Sequence, residues 1–188
     1  IAVPLVAWAV GVFLYTHGAL TFWRVLAYLA VFHFIRQQYG FMRLYARVDE
    51  SSITRRRVEA ACVYLAAAVP ILHWHTSLPK AFHWFVEGDF VDLSMVRPFA
   101  FTGWIALAAC MLLFFSFEWS SWRRTGFWNV PKTLIIAGTA LSWSIGIVLF
   151  DDDWTFTLTN VVAHGVPYFA LIWLTGAKKP SRGRFSFF

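Results

Sequence analysis

The chain has 188 residues, of which 59% are hydrophobic and 14% are charged, whereas soluble domains carry about 25% charged residues. This composition excludes an ordinary soluble domain. The formal net charge is +6, but the cations cluster in the connections between apolar blocks, as they do beside membrane spans. The sequence therefore predicts an integral membrane protein in contact with the lipid bilayer, and no nucleic-acid partner.

The apolar residues fall into six blocks, each near the roughly 20 residues that a transmembrane helix needs. The blocks cover about residues 1–16, 20–41, 58–77, 98–117, 132–150 and 155–175. Because the connections between them are too short to fold alone, residues 1–188 are expected to form a single transmembrane domain. The predicted fold is an all-α, polytopic bundle of about six transmembrane helices.

Basic and acidic connections alternate along this bundle. The basic ones carry Arg43, Arg47, Arg55, Arg56 and Arg57, then Arg123, Arg124 and Lys132, then Lys178, Lys179, Arg182 and Arg184. The intervening ones carry Glu87, Asp89, Asp92, Asp151, Asp152 and Asp153. The positive-inside rule then predicts that both termini are cytoplasmic, in a bacterial-type inner membrane. Binding of anionic lipid or of a partner is the alternative explanation of the basic clusters.

The second span carries a polar stripe. His33, Arg36, Gln37 and Gly40 recur at i, i+3, i+4 and i+7, so they share one helical face. Polar side chains in a bilayer are costly and usually face a cavity, a partner or a cofactor. We expect His33 to be a metal ligand with Gln37 supporting it. The alternative is a structural hydrogen bond to a neighbouring helix.

The sixth span carries a second stripe. Asn160, His164 and Tyr168 are spaced four residues apart and lie on one face near the middle of the membrane. Pro167 removes a backbone donor and is expected to kink or unwind the helix there. This pattern predicts that His164 is a ligand and that Asn160 and Tyr168 contact the same metal or cofactor. A satisfied structural hydrogen bond is again the alternative.

The third span ends in a His-x-His sequence after Pro70. Two helical residues two apart point about 200° away from each other, so His73 and His75 are not expected to bind one metal. His73 is the one expected to face inward, as a third candidate ligand. His75, His83 and His17 are expected to lie at the interface.

The depth of each histidine in the membrane indicates which of them can lie close together. With a rise of about 1.5 Å per residue, His33 lies roughly 12 Å and His164 roughly 16 Å from the cytoplasmic end, whereas His73 lies about 22 Å away. His33 and His164 can therefore share a site, and both a metal ion and a bis-histidine haem are compatible with it. A dinuclear carboxylate centre is disfavoured, because Glu59 and Glu118 lie at the cytoplasmic helix ends.

Three classes of function remain open at this point. The first is a membrane protein with an intramembrane histidine-lined metal or cofactor site, as in an oxidoreductase or electron-transfer subunit. The second is a non-catalytic subunit of a larger membrane complex. Its other subunits would pack on the small-residue face formed by Gly138, Ser142 and Gly146. The third is a transporter, which the absence of mid-span acidic residues disfavours. Whether the protein is an enzyme stays undecided.

Overall fold

The structure, a computed structural model, describes residues 2–49 and 52–176, and these form an all-helical bundle. The six helices are α1 (Ala2–Thr16), α2 (Ala19–Ala46), α3 (Ile53–His75), α4 (Arg97–Thr125), α5 (Val130–Leu149) and α6 (Asp153–Gly176). The prediction of an all-α fold with six helices is confirmed, whereas a membrane crossing by all six and the cytoplasmic position of both termini stay predictions. The basic residues predicted to follow the sixth span, Lys178, Lys179, Arg182 and Arg184, lie outside the described residues.

Five of the helices, α2 to α6, are long and apolar enough to cross a membrane. Helix α1 has 15 residues and rises about 22 Å, less than the roughly 30 Å of a hydrocarbon core. The first predicted span is therefore shorter than the others within the described residues. It packs against α2.

Local sequence signals set where the helices begin and end. The Ser52 hydroxyl accepts a hydrogen bond from Arg55 N at 3.3 Å at the start of α3, and the Asn129 side chain accepts one from Lys132 N at 3.1 Å at the start of α5. Helix α4 ends at Thr125 and is capped by Gly126, whose φ of 70° favours glycine. Hydrogen bonds from the Thr155 hydroxyl and backbone N–H lower the pKa of Asp152, which caps α6.

Helix α3 lies at the centre and packs against α2, α4 and α5. One end of the bundle, here the basic end, holds the C-termini of α2 and α4 and the N-termini of α3 and α5. The opposite, acidic end holds the connection between α3 and α4 and the residues between α5 and α6. Core side chains near the basic end include Met42, Val63, Phe114 and Ile136.

Residues 76–93, here called the aromatic loop, fold back onto the acidic end. Phe82 and Phe90 are buried, and Phe82 stacks on Phe156 of α6 with the ring centroids 4.4 Å apart. Trp84 lies against the same Phe156 ring at 4.8 Å. The sequence predicts that this aromatic stretch lies along the membrane interface. The structure buries two of its rings, Phe82 and Phe90, which pack on Trp74 of α3, and Phe82 also stacks on Phe156; the interfacial position of the loop stays a prediction.

Candidate functional site

The two mid-membrane histidines meet. The rings of His33 on α2 and His164 on α6 are 5.5 Å apart between centroids and inclined at 72°. His33 is exposed on the surface of the bundle and His164 is half-buried. This contact joins residues 131 positions apart in sequence, at the similar depths expected from their positions in the spans.

Phe34 and Gln37 hold the His164 segment against α2. Phe34 stacks on the His164 ring with the centroids 3.8 Å apart, and Gln37 Nε2 donates a long hydrogen bond of 3.4 Å to the His164 carbonyl. Trp84 of the aromatic loop packs on Phe34 at 5.6 Å. The loop therefore reaches the histidine pair through one aromatic ring.

Three buried polar atoms, on Gln37 and His164 at the pair and on Asn160 one turn before His164 in α6, make no hydrogen bond within the described residues. They are Gln37 Oε1, His164 Nδ1 and Asn160 Oδ1. An unpaired buried polar atom costs about 1–3 kcal/mol, so native structures contain few of them. A bound ion or polar ligand beside His164 would offset that cost.

The helices carrying this site are not regular. The last turn of α5, Ser144–Leu149, and the segment Thr157–Val162 of α6 are π-helical. The sequence predicts a distortion of the helix near Pro167. The π-helical segment ends at Val162, two residues before His164, and Pro167 itself lies in the α-helical part that follows. π-Helical turns are frequent at functional sites.

The two π-helical segments touch at Gly146. Asn160 Nδ2 donates to the Ser142 carbonyl at 3.3 Å and to Thr159 Oγ1 at 2.9 Å, above the bare Cα of Gly146. Part of the small-residue face predicted to bind other subunits therefore packs against α6 of the same chain. Gly138, at the other end of that face, has open space beside it.

Replacing Gly146 with alanine is expected to destabilise the protein by about 1–3 kcal/mol, a typical cost of overpacking. The new Cβ would overlap Asn160 Nδ2 and Thr159 Oγ1, so the bond to Ser142 would break. Thermal unfolding in detergent measures the effect. Gly138→Ala is the matched control and should be neutral or slightly stabilising, because alanine favours a helix. Equal melting temperatures for the two variants would contradict the close approach.

The other predicted site residues lie apart from the pair. The His73 ring lies 6.2 Å from the Trp104 ring of α4, and no ring contact joins it to His33 or His164 in residues 2–49 and 52–176. Tyr168 is 47% exposed, one turn beyond His164. Ligand roles for His73 and Tyr168 stay predictions.

A second polar site, absent from the sequence prediction, lies at the basic end. The Lys132 side chain is 0% exposed, and its ammonium group contacts three carboxylates: Asp49 at 2.5 Å, Glu118 at 2.7 Å and Glu59 at 2.8 Å. The carboxylates come from the residues after α2, from α4 and from α3. One lysine thus joins four segments of the bundle.

Two arginines complete this ionic cluster. Arg55 Nη2 contacts Glu118 at 2.5 Å, and Arg43 Nη1 contacts Glu59 at 3.5 Å. Three acidic and three basic side chains therefore meet, and their formal charges cancel. Buried charges need such pairing, because each ion loses its hydration.

The three carboxylates also resemble a metal site by composition, since their oxygens lie within 4.8 Å of one another. The ammonium group of Lys132 fills the space between them, however, and its three N–H donors match the three acceptors. The cluster as folded is complete without a metal. In the sequence, this cluster is visible only as a lysine in the first turn of an apolar helix and two glutamates near helix ends. These residues are far apart in the chain, so no local spacing indicates that they pair.

Comparison with protein-family models, with curated proteins and with solved structures gives no match. Five helices that are long and apolar enough to cross a membrane indicate a multi-helix membrane protein.

Proposed function

We propose that the protein is a membrane-embedded metal protein whose ion is held between His33 and His164. The observation that carries the proposal is the contact between two imidazole rings from distant helices beside unpaired ligand atoms. Imidazole is the commonest side-chain ligand for metals. Together with the Gln37 amide oxygen, this ligand set suits first-row metals such as zinc, iron, copper or nickel.

The spacing of the rings supports one ion rather than a haem. An ion about 2.0–2.1 Å from one nitrogen of each ring, at a tetrahedral angle, separates the two centroids by roughly 5 Å. Two axial imidazoles on opposite sides of a haem iron would be roughly 6.4 Å apart, with the macrocycle between them. The observed separation is 5.5 Å, and Phe34 already covers the His164 ring at 3.8 Å.

The roles of the surrounding residues follow from their contacts. Gln37 and Asn160 would orient or complete the ligand set, since each has a buried oxygen that accepts no hydrogen bond from the described part of the chain. A redox-active ion would make the protein an oxidoreductase or an electron-transfer subunit. Zinc would instead favour a hydrolytic or structural role. The metal's identity therefore decides the reaction class.

The orientation proposed is that the basic end faces the cytoplasm of a bacterial-type inner membrane, with both termini on that side. The support is the concentration of cations at that end and of Glu87, Asp89, Asp92 and Asp151 at the other.

The test is elemental analysis and an optical spectrum of detergent-purified protein. We expect about one equivalent of metal in the wild type, and at least a tenfold loss of metal affinity in His33→Ala and in His164→Ala. His83→Ala, which removes an exposed histidine of the aromatic loop, is the matched control and should keep the metal. A metal-free, colourless wild type, or metal retained in both site variants, would contradict the proposal.

The second candidate is a non-catalytic subunit of a membrane complex. The observation that favours it is that the segment Ala163–Gly176 of α6 has no buried residue and that His33 is exposed beside it. A polar side chain facing lipid is costly, so a neighbouring subunit would shield it, with the open space at Gly138 as a further contact. This candidate predicts a stoichiometric membrane partner whose binding survives His164→Ala in a protein that holds no metal.

A further inference from the structure

A cleft at the basic end lies between the start of α3 and the end of α4. Its volume is about 420 Å³, and it is lined by Ser52, Arg55, Phe117, Ser120 and Arg124. Small-molecule sites typically have volumes of about 300–1,000 Å³. Two guanidinium groups and two hydroxyls line it without any carboxylate, so it is suited to an anion.

The two arginines keep donors for a ligand. No hydrogen bond or ion pair joins the exposed Arg124 to any residue in the described part of the chain. Arg55 donates through Nη2 to Glu118 and its buried Nε lies 3.8 Å from Glu59 Oε1, whereas no hydrogen bond involves its Nη1 within the described residues. The charge of Arg55 is balanced within the ionic cluster, so the excess positive charge of the cleft comes from Arg124.

The start of α3 adds to this positive character. Ser52 caps the 23-residue helix and accepts from Arg55 N, so its hydroxyl hydrogen remains free to donate. Helix N-termini favour anions through their unpaired backbone N–H groups and the helix dipole. The cap and the two arginines therefore point to a phosphate group.

The position of the cleft at the membrane interface favours a lipid headgroup, rather than a soluble compound, as the source of that phosphate. Trp119 and Trp122, on the same turns of α4, are 52% and 42% exposed, as expected of side chains at the membrane interface. Leu113, Phe117, Ser120 and Arg124 follow one another at i, i+4, i+7 and i+11 on one face of α4. An apolar path thus runs from the cleft into the depth of the bilayer, where an acyl chain would lie.

We propose that this cleft binds the headgroup of an anionic phospholipid, with Arg55 and Arg124 on the phosphate and an acyl chain along Phe117 and Leu113. The lipid would fasten α3 to α4 at the basic end. This site is independent of the histidine pair, so either proposal can fail without the other.

The experiment measures the melting temperature of the full chain in detergent during titration with phosphatidylglycerol, phosphatidylcholine or inorganic phosphate. A saturable rise is expected with phosphatidylglycerol only. Arg124→Gln should weaken the apparent affinity about fivefold, the effect of about 1 kcal/mol for one basic residue at a membrane surface. Because Arg124 has no partner among the described residues, the variant should fold as the wild type does.

Arg123→Gln is the matched control, since it removes the same charge from a neighbouring residue that does not line the cleft. It should bind phosphatidylglycerol as the wild type does. Equal losses of affinity for phosphatidylglycerol in the two variants would show that the lipid is attracted by general surface charge, and would overturn the proposed site. Equal stabilisation by phosphatidylcholine would overturn it too. Stabilisation by inorganic phosphate that depends on Arg124 would assign the cleft to a soluble phosphate compound and overturn the lipid assignment.

Discussion

Lys132→Met should destabilise the protein by about 3–5 kcal/mol, the cost of removing one partner from a buried ionic group. Methionine has a similar length, so the packing against Phe114 would change little, but Asp49, Glu59 and Glu118 would lose their shared donor. The formal charge of the cluster would become −1. The free energy of unfolding, measured by denaturant titration in mixed micelles, reports the loss.

Two further variants separate charge from packing. Lys80→Met makes the same substitution in the aromatic loop, where no ion pair involves Lys80 among the described residues, and should cost less than about 1 kcal/mol. Adding Glu59→Gln to Lys132→Met returns the cluster to neutrality and should recover part of the stability, because contacting residues are not additive. A Lys132→Met protein as stable as the wild type would show that the buried cluster does not hold the bundle together.

The second large effect is expected at the opposite end. The Asp89 carboxylate is 1% exposed, and its Oδ2 accepts hydrogen bonds from Phe85 N at 2.6 Å and from Val86 N at 3.3 Å. Asp89→Ala would leave both donors without their acceptor. We expect a loss of about 2–3 kcal/mol, since bonds to a charged acceptor are the stronger kind.

The loss should appear first in the aromatic loop. Hydrogen exchange of the Phe85 and Val86 amides should speed up in Asp89→Ala, and the melting temperature should fall. Because Trp84 packs on Phe34, which stacks on His164, a metal ion held at the proposed histidine site should also be removed faster from this variant by a chelator. Asp89→Asn keeps one oxygen acceptor and should retain most of the stability. If the alanine and asparagine variants behaved alike, the two hydrogen bonds would not be what fastens the loop.

The two ends of the bundle are built on different principles. At the basic end, charges are buried and cancelled by one another, so each depends on its partners. At the acidic end, single carboxylates accept backbone N–H groups, as Asp151 also does from Ala81 at 3.0 Å and Phe82 at 3.1 Å. Asp151 is exposed at the end of α5 and also fastens the aromatic loop, which folds back over that end.

The candidate site was partly predictable. The spacing of His33 and Gln37, and of Asn160 and His164, follows from helical periodicity and places each pair on one face. Depth along each helix follows from the rise per residue. The rotation of α2 and α6 about their axes does not follow from the local sequence, because it depends on how all the helices pack. His73 shows this limit. It is expected to face inward as a third ligand, and its ring lies 6.2 Å from that of Trp104 on α4, without a ring contact to the two paired histidines among the described residues.

The sequence alone determined the class of protein, its helices and the alternation of charge between the two ends, since hydropathy and charge act locally along the chain. Tertiary structure alone decided which polar groups meet. Lys132 contacts Glu59, 73 residues away, and the aromatic loop turns inward onto Phe156. Such contacts depend on the packing of all the helices at once, because a buried polar group is stable only where distant segments bring its partners.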